Sequence, residues 1–266
     1  MTPQMPTMPQ KPTIRLLLVH SPLVGPASWD VIAPLLAEPG REVTIPDLTS
    51  TVAAGPPWCS RQAELIARAA EGRPAVLVGH SRAGPLLAAA GIIITQVRGY
   101  VFVDARLPTP GQAWLDTAPP ELAARLREMT GPDGWLPPWP RWWGEEALAG
   151  LLPDPGARER FIAGCPPLPL AMFAEAHPPA PHWPDAPCAY LRLSEAYENE
   201  AARAAGLGWP VTRLASHHLA LLTDPAGVAE GIGELLRALP HRRPDLEVFN
   251  GRGYQLQWIL RQCWSS

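Results

Sequence analysis

A chain of 266 residues, 47% hydrophobic and 18% charged, can bury one substantial core and carry a smaller insertion on it. The formal net charge of -3, with no basic block, excludes the electrostatic footprint expected for binding nucleic acid or an anionic membrane. No stretch reaches the roughly 18 continuous apolar residues of a membrane span, which excludes an integral helical membrane protein.

The first twelve residues, MTPQMPTMPQKP, hold four prolines and no apolar run, which argues against a signal peptide and predicts a disordered leader over 1–12. The run IRLLLVH (14–20) is continuously apolar, as in a strand buried on both faces of a parallel sheet. After a Pro/Gly-rich loop, SWDVIAPLLAEPG places Trp29, Ile32, Leu35 and Leu36 at helical spacing and stops at Pro39 and Gly40. EVTIPDL reads as a second strand, CSRQAELIARAAEG as an amphipathic helix and PAVLVG as a third strand entering the turn at Ser81; GPLLAAAG then opens the next helix. GYVFVDA (99–105) is a further strand. Strand signals return at CAYLRLS (188–194) and WPVTRL (209–214), and PAGVAEGIGELLRAL closes the pattern as a helix with Val228, Ile232, Leu235 and Leu236 on one face.

The alternation predicts an α/β fold: an open, mostly parallel sheet with helices on both faces. It is interrupted over 106–187, where short helical pieces are separated by proline and carry most of the 11 tryptophans. An irregular loop of that length is improbable in a compact domain, so a small helical insertion folded over the sheet is expected. Trp135, Trp139, Trp142 and Trp143 either wall a cleft or fill a miniature core there. The core is expected over 13–105 and 188–240. HRRP (241–244) reads as positive charge after a helix C-terminus, and the tail 241–266 as either packed back or appended. Cys59, Cys165, Cys188 and Cys263 lack metal-ligand spacing and read as free thiols of a cytoplasmic protein. Richness in proline and alanine fits a high-GC bacterial source.

The stretch AVLVGHSRAG contains a Gly-x-Ser turn between strand and helix. Such a turn needs a small residue where strand and helix crowd, and it pushes the serine outward at a helix N-terminus. Here Ala83 stands where a second glycine is usual, and Gly84 follows it. Ser81 is therefore a candidate nucleophile, the alternative being a helix N-cap hydroxyl. His217 and His218 follow the last strand, and His218 occupies the loop position a general base requires. The order Ser, acid, His matches the sheet hydrolases and neither protease fold.

On the segments LLLVHSP, GHSRAG, YVFVDARLPTPG and HLALLTDPAGVAEGI, the chain resembles the α/β-hydrolase fold superfamily, in its small esterase, lipase and hydroxynitrile-lyase-like branch, from about Ile14 to Leu239. The resemblance implies a sheet beginning at the family's third strand, a cap over 106–187, and His218, seven residues before Pro225, as base. It allows two places for the acid: after AYLRLS, at Glu195, or after the strand that follows the nucleophile helix, at Asp104, with Glu198 or a water as further alternatives and Asp47 and Asp224 worse placed. The implied oxyanion donors are the Arg82 N–H and an N–H two residues after His20. The latter position is Pro22, which has none, so Leu23 N–H or the Ser21 hydroxyl is expected to replace it. The Arg82 guanidinium could also meet a substrate carboxylate.

The expected function is serine hydrolysis of a carboxylic ester, lactone or related acyl substrate with an apolar or aromatic part. No metal or organic cofactor is implied. An acyltransferase or lyase on the same fold is one alternative, and a non-catalytic ligand-binding or interaction protein with a degenerate site is the other. A homodimer is left open.

Overall fold

The computed structural model describes residues 13–240. The expected leader, the HRRP cluster and the tail with Cys263 lie outside the described residues.

The strands in chain order are β1 (Ile14–Val19), β2 (Arg41–Thr44), β3 (Ala75–His80), β4 (Val97–Val103), β5 (Trp135–Leu136), β6 (Leu168–Pro169), β7 (Cys188–Arg192) and β8 (Val211–Arg213). Six of them form one sheet in the order β2-β1-β3-β4-β7-β8, and every pairing in it is parallel. The runs read as continuously apolar are its central strands: β1 and β3 are buried almost throughout, as both faces are covered.

Alternation along the strands sorts side chains between two cores. Leu17, Val19, Leu77 and Phe102 point to the face covered by helices Trp58–Ala69, Gly84–Gly91 and Glu198–Gly206. Leu16, Leu18, Val78 and Val103 point to the opposite face, under Ile32–Leu36 and Pro225–Ala238. Each fully buried leucine or valine contributes about 2 kcal/mol through the area it removes from water. A one-residue slip in any strand would exchange the two sets.

Register positions the site. His80, at the end of β3, pairs with Val103, at the end of β4, and Val103 pairs with Leu191 in β7. Ser81 and Asp104 therefore leave adjacent strands side by side at the carboxyl edge, where ligands bind in open α/β sheets. The loop after β8 brings His218 to the same edge.

The segment between β4 and β7 contains helices Trp114–Thr117, Pro120–Met129, Glu145–Leu151, Pro155–Ala163 and Ala171–Ala174, of which Trp114–Thr117 and Pro155–Ala163 lie outside the helical stretches read from the sequence. It also contains the antiparallel pair β5–β6, too short to leave a period in the sequence. A third core joins this segment to the β1 and β2 loops: Leu126, Leu136, Trp142, Leu168, Met172 and Phe173 pack with Leu23, Val24, Val52 and Trp58. The tryptophans divide as the two readings allowed. Trp142 is buried within that core, Trp139 lines the cavity at Ser81, and Trp143 is 44% exposed beside an outer groove.

Candidate active site

Ser81 sits between β3 and helix Gly84–Gly91, at the head of a 3-10 turn, Ser81–Ala83. Its φ is +59°, in the left-handed region, which costs a non-glycine residue about 1–3 kcal/mol. The neighbours that make this turn feasible are small for identifiable reasons. A Cβ on Gly79 would stand 3.0 Å from the Leu87 side chain, and one on Gly84 would overlap the Arg106 carbonyl oxygen at 2.0 Å. Ala83 carries its methyl group fully buried. The position that cannot accept a side chain is thus Gly84, which explains the displaced glycine.

Ser81 Oγ lies 3.0 Å from His218 Nε2, and His218 Nδ1 lies 2.7 Å from Asp104 Oδ2. Asp104, with φ +43°, is fully buried and accepts three more hydrogen bonds: Oδ1 from the N–H groups of Leu193 (2.9 Å) and Ser194 (3.0 Å), and Oδ2 from the Ser194 hydroxyl (2.6 Å). Burial raises a carboxyl pKa, but the bonds from His218 and Ser194 outweigh it here and hold Asp104 below its ordinary value.

Of the two acid positions, the structure brings only Asp104 to His218. Glu195 is a correction to the other expectation: its side chain is 83% exposed and pairs with Arg192 at 3.0 Å. The loop after β7 serves the acid with donors instead of supplying it. Glu198 binds Arg192 and Arg213. Asp47 accepts from Thr49, and Asp224 accepts from Gly227 as the N-cap of Pro225–Ala238. His217 meets Thr223 Oγ1 at 3.0 Å and makes no contact with Ser81.

Of three neighbours of His218, Tyr197 and His80 had no assigned role in the sequence reading, and Trp139 was read as a cleft wall or core residue. Tyr197 stacks on its ring at 5.0 Å, 3° from parallel. His80, in the elbow itself, places Nε2 3.0 Å from the His218 carbonyl oxygen, and burial holds its pKa down at about 3, so it is neutral and donates there. The Trp139 ring lies 6.4 Å from that of His218. The available signals were weak: a histidine inside the Gly-x-Ser string and an aromatic residue shortly after β7.

His20 is fully buried and fixes the loop after β1. Its Nε2 accepts from Leu48 N–H at 2.9 Å, so Nδ1 carries the proton and donates to Ser21 O at 2.9 Å. Desolvation holds this histidine below its ordinary pKa. The two expected replacements for the missing Pro22 donor, the Leu23 N–H and the Ser21 hydroxyl, are bonded to each other. Leu23 N–H donates to Ser21 Oγ at 3.2 Å, which leaves the Ser21 hydroxyl proton to be given elsewhere. Ser21, Leu23, Ser81 and His218 line one narrow, half-open cavity with Val24, Trp139 and Phe161; its volume is about 20 Å³, room for about one water. Beyond Trp139 and His218, a groove of about 290 Å³ is lined by Trp143, Leu148 and Leu151. The Arg82 N–H is in the first turn of the elbow helix, where N–H groups have no intrahelical acceptor. Its guanidinium packs on Phe173, 4.1 Å from the ring centroid.

A model described as "Alpha/beta hydrolase family" matches residues 16–231. Among solved structures, an extracellular alpha/beta-hydrolase from a Paenibacillus species superposes with a TM-score of 0.67 at 17% identity, covering 84% of this chain and 98% of its own. A pyrethroid hydrolase from Sphingobium faniae gives 0.64 at 20% identity, with 85% and 98% covered. A carboxylesterase from Bacillus subtilis gives 0.58 at 16% identity, with 85% and 84% covered. A search of curated proteins returns no match.

Proposed function

Since the chain belongs to the alpha/beta hydrolase family, we propose that it is a serine hydrolase of a carboxylic ester, lactone or related acyl compound, acting through Ser81, His218 and Asp104. The observation that carries this reading is the continuous hydrogen-bonded line from Ser81 Oγ through both His218 nitrogens to the buried Asp104. In the reaction, His218 Nε2 takes the Ser81 proton as Oγ attacks the acyl carbon. Asp104 orients the ring and stabilises the imidazolium that forms, then His218 returns the proton to the leaving group. Water, activated by the same histidine, releases the acid. The developing oxyanion is met by the Arg82 N–H and by the Ser21 hydroxyl, whose oxygen is already polarised by Leu23 N–H.

The segment 106–187 acts as a cap in this reading. Its Trp139 and Phe161 make the wall of the reaction cavity, which favours an apolar or aromatic part in the substrate. The narrowness and mostly apolar lining of that cavity support a second reading, acyl transfer to an acceptor other than water, because little water is held there to compete. The strained Ser81, hydrogen-bonded to His218, weighs against a purely binding role.

The test is intact-protein mass after incubation with a small fluorophosphonate. A single adduct is expected on the wild type, absent in Ser81→Ala and formed far more slowly in His218→Ala. A folded wild type that takes no adduct would overturn the reading. Product analysis with an added alcohol separates hydrolysis from transfer.

A further inference from the structure

Arg82 follows the nucleophile directly, and its guanidinium is held in a setting that a cation alone does not explain. It lies over the Phe173 ring at 4.1 Å and 5.4 Å from the Trp114 centroid, two rings that themselves meet edge to face. Nη1 is buried, and the guanidinium makes no hydrogen bond or ion pair with any described residue. Cation–π contact offsets part of the lost hydration, but it leaves the buried Nη1 donors without an acceptor among the described residues.

The charged groups nearby do not supply the missing anion. Arg106, the second cation at this place, faces Glu200 at 3.8 Å, and Glu200 also accepts from Leu107 N–H. Glu175 accepts from the N–H groups of Trp58 (2.9 Å) and Cys59 (2.6 Å). The Cys59 thiol is pushed up to about 12 by burial and stays neutral, 3.1 Å from His177, which burial holds down at about 4. Tyr197, which stacks on the His218 ring at 5.0 Å, has a phenol pushed up to about 12 by burial and stays neutral as well. Arg82 adjoins Ser81 in the 3-10 turn at the head of the elbow helix, which places it beside the reaction centre.

We propose that Arg82 is a substrate subsite for a single carboxylate, so that the preferred acyl compound carries a free acid on the side that lies under Trp114 and Phe173. A guanidinium presents a planar fork that matches a carboxylate, and one cation balances one negative charge. This inference rests on the serine-hydrolase reading of the same site, and the experiment separates the two.

Binding is measured by calorimetry on Ser81→Ala protein, which removes turnover, with the monomethyl esters of succinic, glutaric and adipic acids against their dimethyl esters. At least one monoester is expected to bind ten times or more tighter than its neutral counterpart. That preference disappears in Ser81→Ala/Arg82→Met and falls severalfold in Ser81→Ala/Arg82→Lys, where the charge remains without the fork. Arg82→Met is also expected to melt at a higher temperature than the wild type, because it removes a desolvated, unpaired cation. Equal affinity for both ester series, or a preference that survives Arg82→Met, overturns the proposal. Methanol release by the wild type is then followed on the same compounds. Preferential binding without turnover leaves the carboxylate subsite standing and removes the hydrolase reading; turnover without preference does the reverse.

Discussion

The carboxyl edge of the sheet and the wall that faces it are built on opposite principles. At the edge, hydrogen bonds define the structure. Asp104 receives four of them, both His218 nitrogens are engaged, and both His20 nitrogens are satisfied. In the wall, ring packing and apolar burial define it, and one guanidinium is left without a partner among the described residues. Groups that move protons need fixed distances, which strand ends in register provide. Groups that select a substrate need shape, which packed side chains provide and can lose piecemeal. Mutations at the edge should therefore act on kcat, and mutations in the wall on substrate preference.

The largest expected effect is at the acid. Asp104→Asn preserves shape but favours the wrong His218 tautomer, and should lower kcat about 10⁴-fold toward a short-chain ester that the wild type turns over. Ser21→Ala should cost about 10²-fold in kcat with little change in KM if its hydroxyl serves the oxyanion. An equal change in both parameters would remove Ser21 from that role.

Acid titration probes both regions through stability. His80 and His177 are held at about 3 and about 4, and His20 is also depressed, all by desolvation, whereas unfolded histidines titrate near 6.5. Below pH 6.5 the unfolded chain takes up protons that the folded one refuses, so the stability present above pH 6.5 is lost as pH falls toward 4. Denaturant titrations should show a loss of about 2–3 kcal/mol between pH 6 and 5 from His80 and His177 together. A flat profile would mean that these rings are hydrated.

In the wall, Trp139 lines both the cavity at Ser81 and the outer groove. Trp139→Ala should shift the ratio of kcat/KM for long over short acyl chains by about tenfold, as a ring's burial is exchanged for open volume. A uniform fall for all chain lengths would place Trp139 with the edge instead. The smallest effect is expected at Glu195→Gln: an exposed ion pair contributes about 0–1 kcal/mol, so activity should stay within about twofold of the wild type.

The apolar runs of β1, β3, β4 and β7 and the helical spacing of 225–238 were legible in the sequence because burial on both faces leaves a local pattern. So were Ser81, through its small neighbours, and His218, through its place after the last strand. The acid was not. Asp104 and Glu195 each follow a strand at the same edge, and local residue order cannot say which one turns inward. Tertiary structure decides it, because the Leu193 and Ser194 N–H groups need a buried acceptor and Asp104 is within reach, while Arg192 draws Glu195 outward. The same holds for Arg82. Its position beside the serine is plain from the chain, but its lack of a counter-charge exists only once Phe173 and Trp114 close over it, since desolvation is a property of the surroundings and not of the residue.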